Sequence, residues 1–155
     1  MRNLALALGI VCAALAASAE PLQVSTDVPF GAAVADNIKN ECALPRLQAD
    51  AVLAQLAAAG VEAQGTAVSE APATGRFLQL RIESAMSAGN AFTGHRKQVT
   101  TSAVLYEDGQ EVARTTKSRD SMGGFFGGYR SSCNVLRRCT NTLGKDIAGW
   151  VASQP

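Results

Sequence analysis

RDSMGGFFGGYRSSCNVLRRCTNTLGKDIAGW, residues 119–150, holds a polar strand end, four glycines around two phenylalanines, and a run with two of the chain's four cysteines. Leu136, Cys139, Leu143, Ile147 and Trp150 recur at steps of three and four, which predicts an amphipathic helix. Its apolar stripe must lie on something, so the preceding chain has to supply a complementary apolar face.

Working back from that helix, residues 112–120 read as a strand, polar and basic. That composition suits either an edge strand guarded against further pairing or a strand that faces a partner. Asp108-Gly109 sits between it and the alternating run 97–106, and Asp-Gly between two strand patterns is a strong hairpin signal. In 97–106, Val99, Thr101, Ala103 and Leu105 share one face. Residues 77–86 are the clearest strand, with Leu78, Leu80 and Ile82 alternating against Gln79, Arg81 and Glu83. A loop is expected at 89–94, and 61–69, with Gly65 inside, reads as a weak strand.

Before these strands, Pro45 suits a first helical turn, and Ala49, Val52, Leu53 and Leu56 follow at helical spacing until Gly60 ends the run. Residues 20–30, with Pro21 and Pro29, are expected to run extended, with an edge strand as one outcome. The resulting expectation is an α+β two-layer sandwich, a four-stranded antiparallel meander covered on one face by two helices in the order α-β-β-β-β-α.

Residues 1–19 have the layout of a secretory signal peptide: Arg2, an apolar run from Leu4 to Ala17, and small residues before Glu20. The run is shorter than the roughly 20 residues of a membrane-spanning helix. Cys12 follows Val11 instead of a small residue, which argues against lipid attachment there. The expectation is an exported periplasmic protein whose single domain spans 20–155.

That mature portion has 13 basic and 13 acidic residues, so neither nucleic acid nor an anionic membrane is implied as a partner. The charges are sorted along the chain. Residues 20–111 carry 6 basic and 11 acidic residues, whereas 112–155 carry 7 basic and 2 acidic.

The glycine loop at 123–128 lies between a strand and a helix, where phosphate-binding loops occur. Tyr129 and Arg130 stand where a P-loop needs Lys and Ser or Thr, so nucleotide binding is not expected. One reading tucks Phe125 or Phe126 into the core. The other makes Phe125, Phe126 and Tyr129 an exposed tip beside Arg130, a composition favoured at binding surfaces, with Arg114, Lys117 and Arg119 nearby on the edge strand.

His95 is the single histidine, so no histidine cluster for a metal exists and no cofactor is expected. A nucleophile system would have to combine it with Ser87, Ser131 or Cys133 and with Asp120 or Asp146, and nothing in the sequence joins them. Three cysteines remain after export, enough for one bridge. Cys133 and Cys139, six apart on one helix, face opposite sides, and Cys139 falls in the apolar stripe. The expected pair is Cys42 with Cys133, closing about 90 residues and contributing roughly 4 kcal/mol in a chain-entropy account.

DSMGGFFGGYRSSCNVLRRCTNTLGKDIAGW, NECALP, and GNAFTGHRK followed by a strand and an Asp-Gly hairpin together resemble a family of small secreted, uncharacterised proteins of Gram-negative bacteria. The resemblance implies export and a bridge between Cys42 and Cys133, and brings no activity with it. The expected element order is similar to that of small envelope domains, the amino-terminal domain of TolB and the lipopolysaccharide-assembly lipoprotein LptE. The functional expectation is a non-enzymatic binding or interaction module of the cell envelope with a protein partner. The alternatives are a small secreted hydrolase using His95, or a carrier holding an anionic or lipid-like small ligand between helices and sheet.

Overall fold

The computed structural model describes residues 20–90, 94–122 and 132–155; the expected signal peptide and the glycine-aromatic loop fall outside them. In chain order the elements are β1 (Leu22–Ser25), β2 (Phe30–Val34), α1 (Asp36–Glu41), α2 (Leu44–Ala58), β3 (Ala63–Thr66), β4 (Arg76–Asn90), β5 (Gly94–Glu107), β6 (Gln110–Met122) and α3 (Ser132–Ala152).

The architecture is α+β, but the expected four-stranded antiparallel meander is replaced by a mixed six-stranded sheet. Its order is β3-β1-β4-β5-β6, with β2 also on β4. β4, β5 and β6 form the antiparallel part. β1 runs parallel to both β3 and β4, and β2 runs parallel to β4. The expected order α-β-β-β-β-α is therefore corrected, because two strands precede the first helix. β1 and β2 have four and five residues, too few to display a period. Their pairing is with strands distant in sequence, which no local pattern encodes. Far from being an edge, β1 is enclosed between β3 and β4, which is why Leu22 and Val24 are buried.

Turn chemistry places the element ends. Gly60, at φ 75°, closes α2: its N–H reaches the Ala57 carbonyl, and the Val61 N–H reaches Leu56. This is the paired-bond cap that satisfies last-turn carbonyls and favours glycine at the left-handed position. Asp108 and Gly109 have φ 49° and 75°, the two positive values of a tight hairpin turn between β5 and β6. The loop expected at 89–94 is shorter: Asn90 pairs with Gly94 and Gly89 with His95, so His95 belongs to β5 and not to a loop.

One face of the sheet carries the core. Leu78, Leu80, Ile82, Val99, Ala103 and Leu105 are buried against Val52 and Leu56 of α2 and Leu136, Cys139, Leu143 and Ile147 of α3. The stripe on the last helix is thus buried as its period requires, with Trp150 packed at the margin. An extra residue at Glu83 interrupts β4, where Ile82 pairs with Thr101 and Ser84 with Thr100. The bulge keeps Ala85 and Val99 on the core face beyond it. Gly31 lies against this point, since a Cβ there would sit 2.6 Å from the Glu83 carbonyl oxygen.

A polar pair is enclosed between α2 and β5. The Thr101 hydroxyl donates to Gln48 Oε1 at 3.3 Å, and both residues are fully buried. Gln48 Nε2 has no hydrogen-bond partner among the described residues.

Candidate functional site

β6 lies at one end of the sheet order, paired only with β5, so its outer row of backbone groups has no strand beside it among the described residues. Its inner side is covered by α3, which packs on β5 and β6, while α2 packs on α3 and on the β1 and β3 end. The strand is mainly polar and charged, with Val112 and Ala113 apolar near its start and Met122 at its end. Opposite Leu105 and Tyr106 the register shifts, Ala113 pairs with Leu105 and Glu111 with Tyr106, and Val112 is the extra residue. It is 51% exposed.

The basic side chains expected to form one surface are divided by the alternation of the strand. Arg119 turns toward the helix layer, where its Nε and Nη2 donate to the two Asp146 carboxylate oxygens of α3 at 2.6 and 2.7 Å. This pairing, more than the charges of Lys117 and Lys145, holds the Asp146 carboxyl below its ordinary range and pushes the Arg119 guanidinium up. Arg114 turns to the helix-free face, where Nε and Nη2 donate to Glu111 at 2.9 and 2.8 Å. The hydrogen bonds lower the Glu111 carboxyl and raise Arg114. Each arginine thus already engages its fork with a carboxylate. Phe125, Phe126, Tyr129 and Arg130 lie outside the described residues.

The Cys42 and Cys133 sulfurs are bonded, with Cα atoms 5.4 Å apart, so the joint between α1 and α2 is tied to the first turn of α3. Cys139 is a buried free thiol, and burial pushes its pKa up, away from the reactive thiolate. The bridge also removes Cys133 from the candidate nucleophiles. Asp146 is committed to Arg119, and Ser131 lies outside the described residues. Among the described residues, no three His, Cys, Asp or Glu side chains converge to hold a metal, and no helix is long and apolar enough to cross a membrane.

Concave features carried no signal in the sequence, among them a small hollow of about 60 Å³ lined by Leu105, Glu107, Val112, Ala113, Gln154 and Pro155. On the helix-free face, Pro29, Gln79, Arg81, Glu83, Ser102 and Arg114 line a depression of about 150 Å³, in which the Ser102 hydroxyl donates to Glu83. At the opposite end of the sheet from β6, Pro21, Ala57, Gly60, Val61, Ala63 and Gln64 line a shallow groove of about 440 Å³ with Glu62. Neither carries a sequence signal, because each draws on segments far apart in the chain. Val112 did carry one, as the lone branched apolar residue at the start of a polar strand.

No family model matches the sequence, and comparison with curated proteins finds no relative. Solved structures do share the fold. Protein XCC0632 from Xanthomonas campestris, described under the family DUF330, superposes with a TM-score of 0.62 at 13% identity, over 86% of this chain and 84% of that one. The PelC dodecamer subunit from Paraburkholderia phytofirmans gives 0.53 at 11% identity, over 84% and 88%. The hypothetical protein CT253 from Chlamydia trachomatis gives 0.53 at 7% identity, over 88% and 100%. At such identities the likeness is one of fold.

Proposed function

We propose that this chain is a non-catalytic interaction module of the Gram-negative periplasm, which docks a protein partner along β6. The observation that carries the proposal is the thirteen-residue edge strand, whose outer backbone groups can add a strand from another chain. The Cys42–Cys133 bridge supports an oxidising compartment, in keeping with the signal peptide read at 1–19. PelC, which shares the fold, is a dodecamer, so subunit contacts are built on this architecture in at least one other protein. Fold-level likeness is an analogy and carries no activity.

In this proposal the docking surface continues from the β6 edge into Phe125, Phe126, Tyr129 and Arg130, flanked by Arg114 on the helix-free face of the strand and by Lys117 and Arg119 on the other. The test is photo-crosslinking from Thr116 and from Phe126 in the exported protein in its own cells, with the products identified by mass spectrometry. One dominant envelope protein is expected from both positions. A folded, exported sample that yields no protein crosslink from either position would overturn the reading.

A further inference from the structure

The depression on the helix-free face is built across three neighbouring strands. Its floor is Ser102 and Val104 of the central strand β5, 6% and 5% exposed. Gln79, Arg81 and Glu83 of β4 flank the floor on one side and Arg114 of β6 on the other, with Pro29, just before β2, completing the wall. The bulge in β4 sets the position of Glu83, which is the extra residue between the pairs Ile82 with Thr101 and Ser84 with Thr100.

Part of the wall is held in place by its neighbours. Gln79 donates through Nε2 to the Ser69 carbonyl at 2.7 Å and accepts at Oε1 from the Tyr106 hydroxyl at 3.3 Å. The Ser102 hydroxyl donates to Glu83 Oε1 at 2.5 Å. A ligand therefore does not have to order these groups. The charged groups keep bonding capacity. Arg81 Nε lies 3.6 Å from Glu83 Oε2, beyond hydrogen-bond distance, so both can still bond a ligand. Arg114 engages Glu111 through Nε and Nη2, which leaves its Nη1 group. Its pKa is raised chiefly by Glu111 and to a lesser degree by Tyr106 and Glu83, so the Glu83 carboxylate lies within electrostatic reach of Arg114 as well as of Arg81.

The charges of Arg81, Arg114, Glu83 and Glu111 sum to zero. A bare anion would meet Glu83, and a bare cation would meet the arginines. A ligand with both signs on neighbouring atoms satisfies both. The volume of about 150 Å³ suits a molecule of benzene size and falls below the roughly 300–1,000 Å³ of pockets for drug-sized ligands. A nucleotide or a lipid chain is too large for it. We propose that the depression binds a small α-amino acid as its zwitterion, the carboxylate bonded by Arg81 and Arg114 and the ammonium by Glu83. The inference does not depend on docking at β6, because the depression opens on the face of the sheet and not on its edge.

The isotope-labelled exported protein is titrated with glycine, L-alanine and L-serine in turn, and with acetate and methylammonium, which carry one charge each. At least one amino acid is expected to shift the backbone amide signals of Glu83, Ser102 and Arg114 to saturation in nuclear magnetic resonance spectra. Acetate and methylammonium should bind about tenfold or more weakly, since each lacks a charge-assisted bond. Glu83→Gln keeps an acceptor for Ser102 and removes the charge, and Arg81→Gln removes the guanidinium. Both are expected to melt like the wild type and to weaken amino-acid binding about tenfold or more, while Glu83→Gln leaves acetate binding no weaker.

No saturable shift with any of the three amino acids would overturn the inference. So would acetate binding as tightly as the amino acids, or variants that bind them like the wild type. If Glu83→Gln lowers the melting temperature, Arg81→Gln decides alone, because Arg81 pairs regularly with Ser102 outside the bulge.

Discussion

Arg119 and Asp146 are 27 positions apart, and their bond joins the last strand to α3. The Asp146 carboxyl is lowered in the folded protein, chiefly by the hydrogen bonds from Arg119. A carboxylate with a depressed folded value stabilises fully above its unfolded value of about 4. The contribution is lost as the pH falls through the folded value. Asp146→Asn is therefore expected to melt below the wild type at neutral pH, and the gap should close in strong acid; thermal melts across pH would show it. A gap that is the same at every pH would mean that the substitution acts through packing. Cys139 is legible at this scale, because its place in an apolar stripe is a local pattern. The engagement of Arg119 and Arg114 with separate carboxylates on opposite faces needed the strand's register and the position of α3.

Among elements, α2 and α3 meet at Gly144. A Cβ there would lie 2.8 Å from both the carbonyl carbon and oxygen of Ala51, so a glycine permits the close approach. Two effects compete in Gly144→Ala. Replacing a mid-helix glycine by alanine contributes up to about 1 kcal/mol through propensity. Overpacking against backbone that cannot rotate away costs about 1–3 kcal/mol. A net loss of about 1 kcal/mol or more is expected in urea unfolding. Gly149→Ala is the control, since nothing lies within 4 Å of its Cβ, and it should be neutral or stabilising. If both alanines stabilise equally, the helices do not meet at Gly144. The helix itself was legible from its stripe, and the β5–β6 hairpin from Asp108-Gly109. The alanines of α2 pack against another helix as well as toward the sheet, which the stripe alone could not distinguish.

Across the whole molecule, the Cys42–Cys133 bridge joins residues 91 positions apart and links the α1–α2 joint to α3. Removing a native bridge from an exported domain costs about 2–5 kcal/mol. Cys42→Ser, and the wild type treated with reductant, should both lose stability in that range by urea unfolding. If reductant leaves the unfolding midpoint unchanged, the bridge is not formed in solution.

The sequence by itself determined the α+β class, the two longer helices, three long antiparallel strands and the hairpin joining the last two. Each is written within a few residues, as a period of side-chain burial or as a turn that demands positive φ. It also sorted the charges, acidic before Val112 and basic after. Only the tertiary structure decided that β1 and β2 enter the sheet in parallel, that β6 ends it, and that a groove lies at the far end. The physical reason is that pairing partners, ion-pair partners and concave walls depend on which distant segments share a neighbourhood. That is settled when the whole core packs, and no window of the chain records it.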